Sequence, residues 1–306
     1  MKLGYYSHTE HLAHEVGDMH PEHPMRIIAI EHQLESTGLL QDLQSCPIDN
    51  LDHADLVRAH SHGYLDQLAR ISPENGTIFA DKDTPMAVGS LKAAYQAAAA
   101  VTTALDDIMM RRIDRAFCSV RPPGHHATRK QTMGFCFLNN IAIAALKAVE
   151  FYGLERVAVI DFDVHQANGT IDILQGDERF LICSSFQHPA YPYSHWQNIY
   201  PNVVNIPLDP NSAGTDMRRA VEQQWLTALQ AFKPQLILVS AGFDAHRADP
   251  MAELNWLEED FNWLGGFIAD IGKSCASSRI LSSLEGGYDL KALAASAHSY
   301  INALTE

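Results

Sequence analysis

The stretch Val157-Ala158-Val159-Ile160-Asp161-Phe162-Asp163-Val164-His165 decides how this chain is to be read. Its first half is apolar without alternation, as in a strand buried on both faces, and its second half turns abruptly polar. Five other short apolar runs share this shape, at 116–120, 180–183, 203–206, 236–240 and 280–284. Segments predicted to be helical lie at 88–110, 139–151, 170–174, 215–232 and 258–275. Buried strands alternating with helices predict an α/β fold with a central, mainly parallel sheet covered on both faces. No repeat and no Pro/Gly/Ser-rich linker interrupts residues 1–306, which read as one domain.

Composition narrows the function classes. Hydrophobic residues make up 46% of the chain, enough for a large core and too many for a disordered protein. The balance of 37 acidic against 22 basic residues gives a formal net charge of −15, which disfavours direct binding to nucleic-acid phosphates. The same charge tolerates cationic substrates such as lysine-rich peptides or polyamines. Five cysteines with no CxxC spacing argue against a disulfide scaffold or a thiolate zinc site, and fit reduced thiols in a cytoplasmic compartment. The N-terminus has no apolar signal-peptide core. The Ala-rich run at 93–105 is too short and too interrupted to span a membrane.

The polar clusters follow the strands. Arg121-Pro122-Pro123-Gly124-His125-His126 follows one, Asp161-Phe162-Asp163-Val164-His165 ends another, and Ala241-Gly242-Phe243-Asp244 and Glu285-Gly286-Gly287-Tyr288 follow two more. Ligands of open α/β sheets bind beyond the carboxyl ends of the strands, so four distant segments can converge there. Asp163 and His165 lie two apart on extended chain and can reach one ion. Asp244 adds a second carboxylate, which leaves a tetrahedral metal with an open position. Adjacent His125 and His126 need not bind one metal together and fit a general acid/base pair better. Tyr288, behind two glycines, can offer a phenol to a developing oxyanion.

These segments resemble the zinc-dependent histone deacetylase family. RPPGHHA at 121–127, GFCFLNN at 134–140, DFDVHQANGT at 161–170, SAGFDAH at 240–246 and LEGGYDL at 284–290 match its signatures in order. HPEHPMR at 20–26 looks like the class II members and their bacterial relatives. The resemblance spans essentially the whole chain and implies the arginase–deacetylase fold, one zinc ion and hydrolysis of an acetamide. It implies zinc ligation by Asp163, His165 and Asp244, with His126 as general base and acid and His125 as its electrostatic partner. Asp161 would orient His125, and Asn168 would stand behind His126, where many class I members carry Asp. Tyr288 would polarise the carbonyl. Phe135 and Tyr191 would wall the acyl-lysine channel, with Gly134, Met251 and Gly286 also at the substrate and Asp83 at the rim. A potassium ion would use Asp161, Asp163 and His165 with Ser184 and Ser185, mainly through backbone oxygens. Two departures from the family pattern are Gln166-Ala167, where His-Gly is usual, and Ser185-Phe186, where Leu-His is common.

The expected partner is an acetylated lysine in a protein or peptide, or a small acetylated amine. Alternatives within the superfamily are an acetylpolyamine amidohydrolase, an acetoin-utilisation-type deacetylase and a two-manganese arginase-like hydrolase. A catalytically silent acyl-lysine-binding scaffold is the alternative from another class. Met251, after Asp249-Pro250, stands where polyamine-selective relatives can carry Glu. The remaining histidines of the N-terminal segment, His8, His11, His14, His20 and His23, read as a surface loop. Met109-Met110, Trp256 and Trp263 read as helix packing.

Overall fold

The six apolar runs all form parallel strands, and their side chains divide between two cores with a period of two. The computed structural model describes residues 1–17 and 19–306. Its strands are β1 (Leu3–Tyr6), β2 (Gln44–Ser45), β3 (Thr77–Phe79), β4 (Pro85–Ala87), β5 (Arg115–Cys118), β6 (Val157–Asp161), β7 (Phe180–Gln187), β8 (Val203–Leu208), β9 (Leu236–Ala241) and β10 (Ile280–Leu284). Eight of them make one parallel sheet in the order β2-β1-β5-β10-β9-β6-β7-β8, while β3 and β4 form a separate antiparallel pair. Within β6, Val157 and Val159 enter one core and Ala158 and Ile160 the other. Leu236 and Leu238 of β9 oppose Ile237 and Val239 in the same way.

The helices are α1 (Met25–Ser36), α2 (His53–Ala59), α3 (His62–Ile71), α4 (Ser90–Met109), α5 (Asn140–Glu150), α6 (Asn168–Leu174), α7 (Gly214–Ala220), α8 (Leu226–Phe232), α9 (Glu258–Cys275) and α10 (Leu290–Thr305). Apolar residues of α2 to α6 fill the first core, and those of α1 and α7 to α10 fill the second. Each fully buried aliphatic side chain contributes about 1.5–3 kcal/mol of transfer free energy. Both faces of the sheet are therefore covered mainly by apolar side chains.

Several differences from the sequence reading have local causes. The helix expected at 215–232 is broken by a π-helical turn at Val221–Trp225. The turn seats Trp225 fully buried, with its indole N–H donating to the Val204 carbonyl at 3.3 Å. The sequence reading assigned no elements to the first 87 residues, where the structure has β1 to β4 and α1 to α3, nor to the segment of α10. Strand β1 is four residues long and contains Gly4, so it carries little local signal. His11 and His14 are not surface residues: both are buried. Met110 is 55% exposed, so only Met109 of that pair packs on the core. All five cysteines are free, and among the described residues no helix is long and apolar enough to cross a membrane.

One buried histidine fixes the segment between β5 and α5. The backbone N–H of Asn139 donates to His60 Nε2 at 2.9 Å, so Nδ1 carries the proton and donates to the Thr128 carbonyl at 3.0 Å. Asn139 in turn caps α5 and donates to the carbonyl of Ala127 at 3.1 Å. Burial lowers the pKa of His60 from 6.5 to about 4. An unfolded chain binds this proton below pH 6.5, whereas the folded chain resists it down to about pH 4. Stability from this group is complete above 6.5 and is lost as pH falls through that window, by on the order of 3 kcal/mol. Urea unfolding of wild type and His60→Gln at pH 7.5, 6, 5 and 4.5 should give a steeper loss for wild type. Parallel slopes would show that His60 is not kept neutral.

Candidate active site

Because the strands of the sheet are parallel, the polar segments that follow β5, β6, β9 and β10 emerge at one end. Asp161 is the last residue of β6, and the chain then folds back on its own carboxylates. Asp163 N–H donates to Asp161 Oδ1 at 3.1 Å, and His165 N–H donates to Asp163 Oδ1 at 2.9 Å. The N–H of Val164 donates to Asp244 Oδ1 at 2.8 Å, locking the segment after β6 to the segment after β9. Gly286 N–H donates to Asp163 Oδ2 at 2.8 Å and brings in the segment after β10.

Asp163, His165 and Asp244 form a buried group able to hold a metal ion. His165 Nδ1 lies 3.1 Å from Asp163 Oδ1 and 3.2 Å from Asp244 Oδ2. A single imidazole N–H cannot be aimed along both directions. Donor atoms about 2.0–2.1 Å from one ion at tetrahedral angles stand roughly 3.3 Å apart, so a cation fits this spacing. Without one, the site is electrostatically poised for a positive charge. Burial would depress His165, but the two carboxylates outweigh it and raise its pKa to about 10. Burial and Asp163 together raise Asp244 to about 7.

The two adjacent histidines have opposite surroundings. His125 Nδ1 donates to Asp161 Oδ2 at 3.0 Å, and His126 Nδ1 donates to Asn168 Oδ1 at 2.6 Å, with tautomers assigned from these partners. Burial works against protonation of both. At His125 it is outweighed by Asp163 and Asp161, which hold the pKa well above the usual value. At His126, burial is reinforced by His125 and His165, and the pKa is held well below it. One ring keeps its proton and the other stays free to accept one, which is the division that acid/base chemistry needs.

A cavity of about 230 Å³ opens over these groups, lined by Asp83, Pro123, His125, His126, Gly134, Phe135, His165, Tyr191, Met251, Gly286 and Tyr288. Asp161 and Asn168 stand behind the histidines, outside the cavity. Ser184 and Ser185 lie on β7 and do not reach it; their hydroxyls are buried without partners. Tyr191 packs edge-on to His126 with centroids 5.1 Å apart, and Phe135 packs edge-on to Tyr288 at 6.1 Å. Asp83 accepts the Gly134 N–H at 3.0 Å, so one of its oxygens already braces the turn that presents Phe135. Met251 is exposed at the mouth. Burial keeps the Tyr288 phenol protonated, with its pKa well above 10.0.

Sequence reasoning missed the groups that hold this constellation together. Buried Glu285 accepts the N–H groups of Gly124 at 2.6 Å and His125 at 3.1 Å. Buried Arg26 donates to the carbonyls of Gly287 at 2.6 Å and Glu285 at 2.5 Å, and stands 4.9 Å over the Tyr288 ring. Arg121 forms a bidentate pair with buried Glu22 at 2.5 and 2.6 Å. The available signal was ionisable residues set directly against apolar strands, as in Leu284-Glu285 and Val120-Arg121. Gly286 is required by close approach, since a Cβ there would strike Asp244 Oδ2 and lie 2.6 Å from Asp163 Oδ2. Gly286→Ala should therefore weaken divalent-metal affinity at least tenfold, about 1.4 kcal/mol, by competition with a chelating indicator. Wild-type affinity in that variant would separate Gly286 from the metal group.

Known proteins are similar to this chain in sequence and fold. The histone deacetylase domain model matches residues 20–304. An uncharacterised Synechocystis protein is 40% identical over 94% of each chain. A histone deacetylase-like amidohydrolase of Pseudomonas aeruginosa is 34% identical over 88% of this chain and 72% of its own. The crystal structure of the HDA15 HD domain superposes with a TM-score of 0.92 at 29% identity, covering 99% of this chain and 89% of that one. The chain, with its single parallel sheet and arginase–deacetylase architecture, belongs to the histone deacetylase family of hydrolases.

Proposed function

We propose that this protein is a zinc-dependent amidohydrolase that removes acetyl groups from lysine side chains of proteins or peptides. One observation carries the reading: His165 of the Asp163, His165 and Asp244 group, the proton-poor ring of His126 and the Tyr288 side chain border one narrow cavity. Zinc held by the first three would supply Lewis-acid polarisation of the acyl carbonyl and acidify a bound water. His126 Nε2 takes the proton of the attacking water and returns it to the departing amine. His125, tied to Asp161, supplies positive charge beside that ring. The Tyr288 hydroxyl donates to the carbonyl oxygen as negative charge builds on it. Phe135 and Tyr191 flank the acyl-bearing arm and keep water from it. A potassium ion near Asp161 belongs to the same proposal; the partnerless hydroxyls of Ser184 and Ser185, with Ser184 in register with Asp161, support it. The free cysteines support a cytoplasmic setting.

The decisive experiment measures turnover and metal content together. His126→Ala should lose about 10²–10⁴ in rate, more than His125→Ala, with metal retained. Tyr288→Phe removes one hydroxyl and should cost about 10²–10³ in kcat, with metal and hydroxamate binding largely intact. Near-normal turnover in either His126→Ala or Tyr288→Phe would remove that residue from the mechanism. Full activity in metal-stripped protein would overturn the proposal as a whole.

Met251 favours acetyl-lysine over acetylpolyamines, because a thioether at the mouth offers no carboxylate to a distant ammonium. Acetyl-lysine peptides should therefore exceed acetylspermidine in kcat/KM, and Met251→Glu should shift the ratio toward the polyamine. A tenfold wild-type preference for acetylspermidine, about 1.4 kcal/mol, would reverse the substrate assignment.

A further inference from the structure

Asp249 touches neither the cavity nor the metal group, yet its carboxylate joins the two ends of the site. The side chain is 6% exposed. Its Oδ1 accepts the N–H of Met251 at 3.0 Å. Its Oδ2 accepts the N–H of Tyr288 at 2.6 Å and that of Asp289 at 3.2 Å. Met251 stands at the cavity mouth, and Tyr288 carries the phenol beside the metal group.

The surrounding contacts make this carboxylate the link between Tyr288 and the Met251 segment. Upstream of Tyr288 the chain passes through Gly287 at φ 120°, a conformation that glycine adopts and side-chain-bearing residues rarely do. Arg26 holds the carbonyls of Glu285 and Gly287, the latter in the same planar peptide unit as the Tyr288 N–H, and of these two grips it is Asp249 that also reaches the Met251 segment. Among the described residues, the Tyr288 N–H has Asp249 as its hydrogen-bond partner, and no protein group anchors the phenolic oxygen. The loop carrying Asp249 is firm, because Asp249 N–H donates to the His246 carbonyl at 2.8 Å and Arg247 N–H to the Trp256 carbonyl at 3.0 Å. A small displacement of Met251 therefore passes through one rigid group to the residue that carries the phenol.

We propose that Asp249 is a positioning residue for Tyr288 that couples occupation of the cavity mouth to placement of the phenol. The inference rests on the hydrolase reading above and deepens it by naming the favoured substrate form. Acyl-lysines with main chain on both sides, long enough to press on the Met251 segment, gain in kcat over short acylated amines. Remote contacts of this kind raise kcat only when they are realised in the transition state.

The experiment compares zinc-loaded wild type, Asp249→Asn, Tyr288→Phe and the double variant on an acetyl-lysine heptapeptide and on acetyl-lysine amide. Wild type should show the higher kcat on the heptapeptide. Asp249→Asn should lower that kcat roughly 10- to 100-fold with KM within about threefold, and should erase the advantage over the short amide. In the Tyr288→Phe background the same substitution should cost less than about threefold, because it acts through the lost hydroxyl. An equal loss in both backgrounds, or an intact heptapeptide advantage in Asp249→Asn, would overturn the coupling. Should Asp249→Asn fail to fold, amide hydrogen exchange in the Tyr288→Phe protein decides the matter. The amides of residues 288 and 289 should be protected more by bound heptapeptide than by acetyl-lysine amide, and equal protection would refute the proposal. Failure of the underlying hydrolase reading looks different: wild type itself would then show no metal-dependent turnover, or Tyr288→Phe would keep full kcat.

Discussion

The site depends on one buried carboxylate, Glu22, held between two guanidinium groups. Arg121 binds it through both oxygens, Arg26 donates to Oε1 at 2.9 Å, and His14 Nε2 lies 3.2 Å from Oε2. All four side chains are buried. Burial alone would push the Glu22 pKa up, but Arg121, His14 and Arg26 outweigh it and hold the carboxyl well below the usual range. A buried ion cluster is weak evidence for net stability, because desolvation offsets much of its attraction. Its value here is geometric. Arg121 begins the loop that carries His125 and His126, and Arg26 grips the loop that carries Tyr288. Removing Glu22 would leave two buried positive charges uncompensated and would loosen both loops together.

Around that anchor, charged groups are used in pairs with opposite consequences. His125 and His126 are chemically identical and adjacent, yet the first has a carboxylate behind it and the second an amide. Asp163 and Asp161 hold His125 protonated against its burial, whereas at His126 burial, His125 and His165 together outweigh the Asn168 contact. Glu285 serves the same loop through backbone contacts, using both N–H groups of Gly124 and His125. Burial raises its pKa to about 7, against the opposing pull of His125, so this clamp sits near its own titration at neutral pH.

The parallel sheet makes such economy possible. With eight strands running one way, the polar segments that follow β5, β6, β9 and β10 gather at a single end, while both faces are covered mainly by apolar side chains. Carboxylates placed at that end meet little water and therefore exert strong fields on their neighbours. The cavity that remains is narrow and largely walled by aromatic rings and backbone, which suits an extended aliphatic arm ending in a polar group.

Local sequence determined much of this. Apolar runs without alternation marked the six strands β5 to β10, since a strand buried on both faces needs no polar side. The polar residues just past those runs marked Asp163, His165, Asp244, His125, His126 and Tyr288, because strand ends are where such chemistry can be exposed. Tertiary structure alone decided the rest. Strand β1 and the N-terminal helices owe their form to packing against distant residues, which no local period records. His11 and His14 are buried because Arg121 and Glu22, 99 residues apart, meet beside them. The protonation of the histidine pair and the bracing of Tyr288 by Arg26 and Asp249 likewise rest on contacts between remote segments. Spacing along a chain reports which residues share a face of one element; which elements then meet is set by the packing of the whole core.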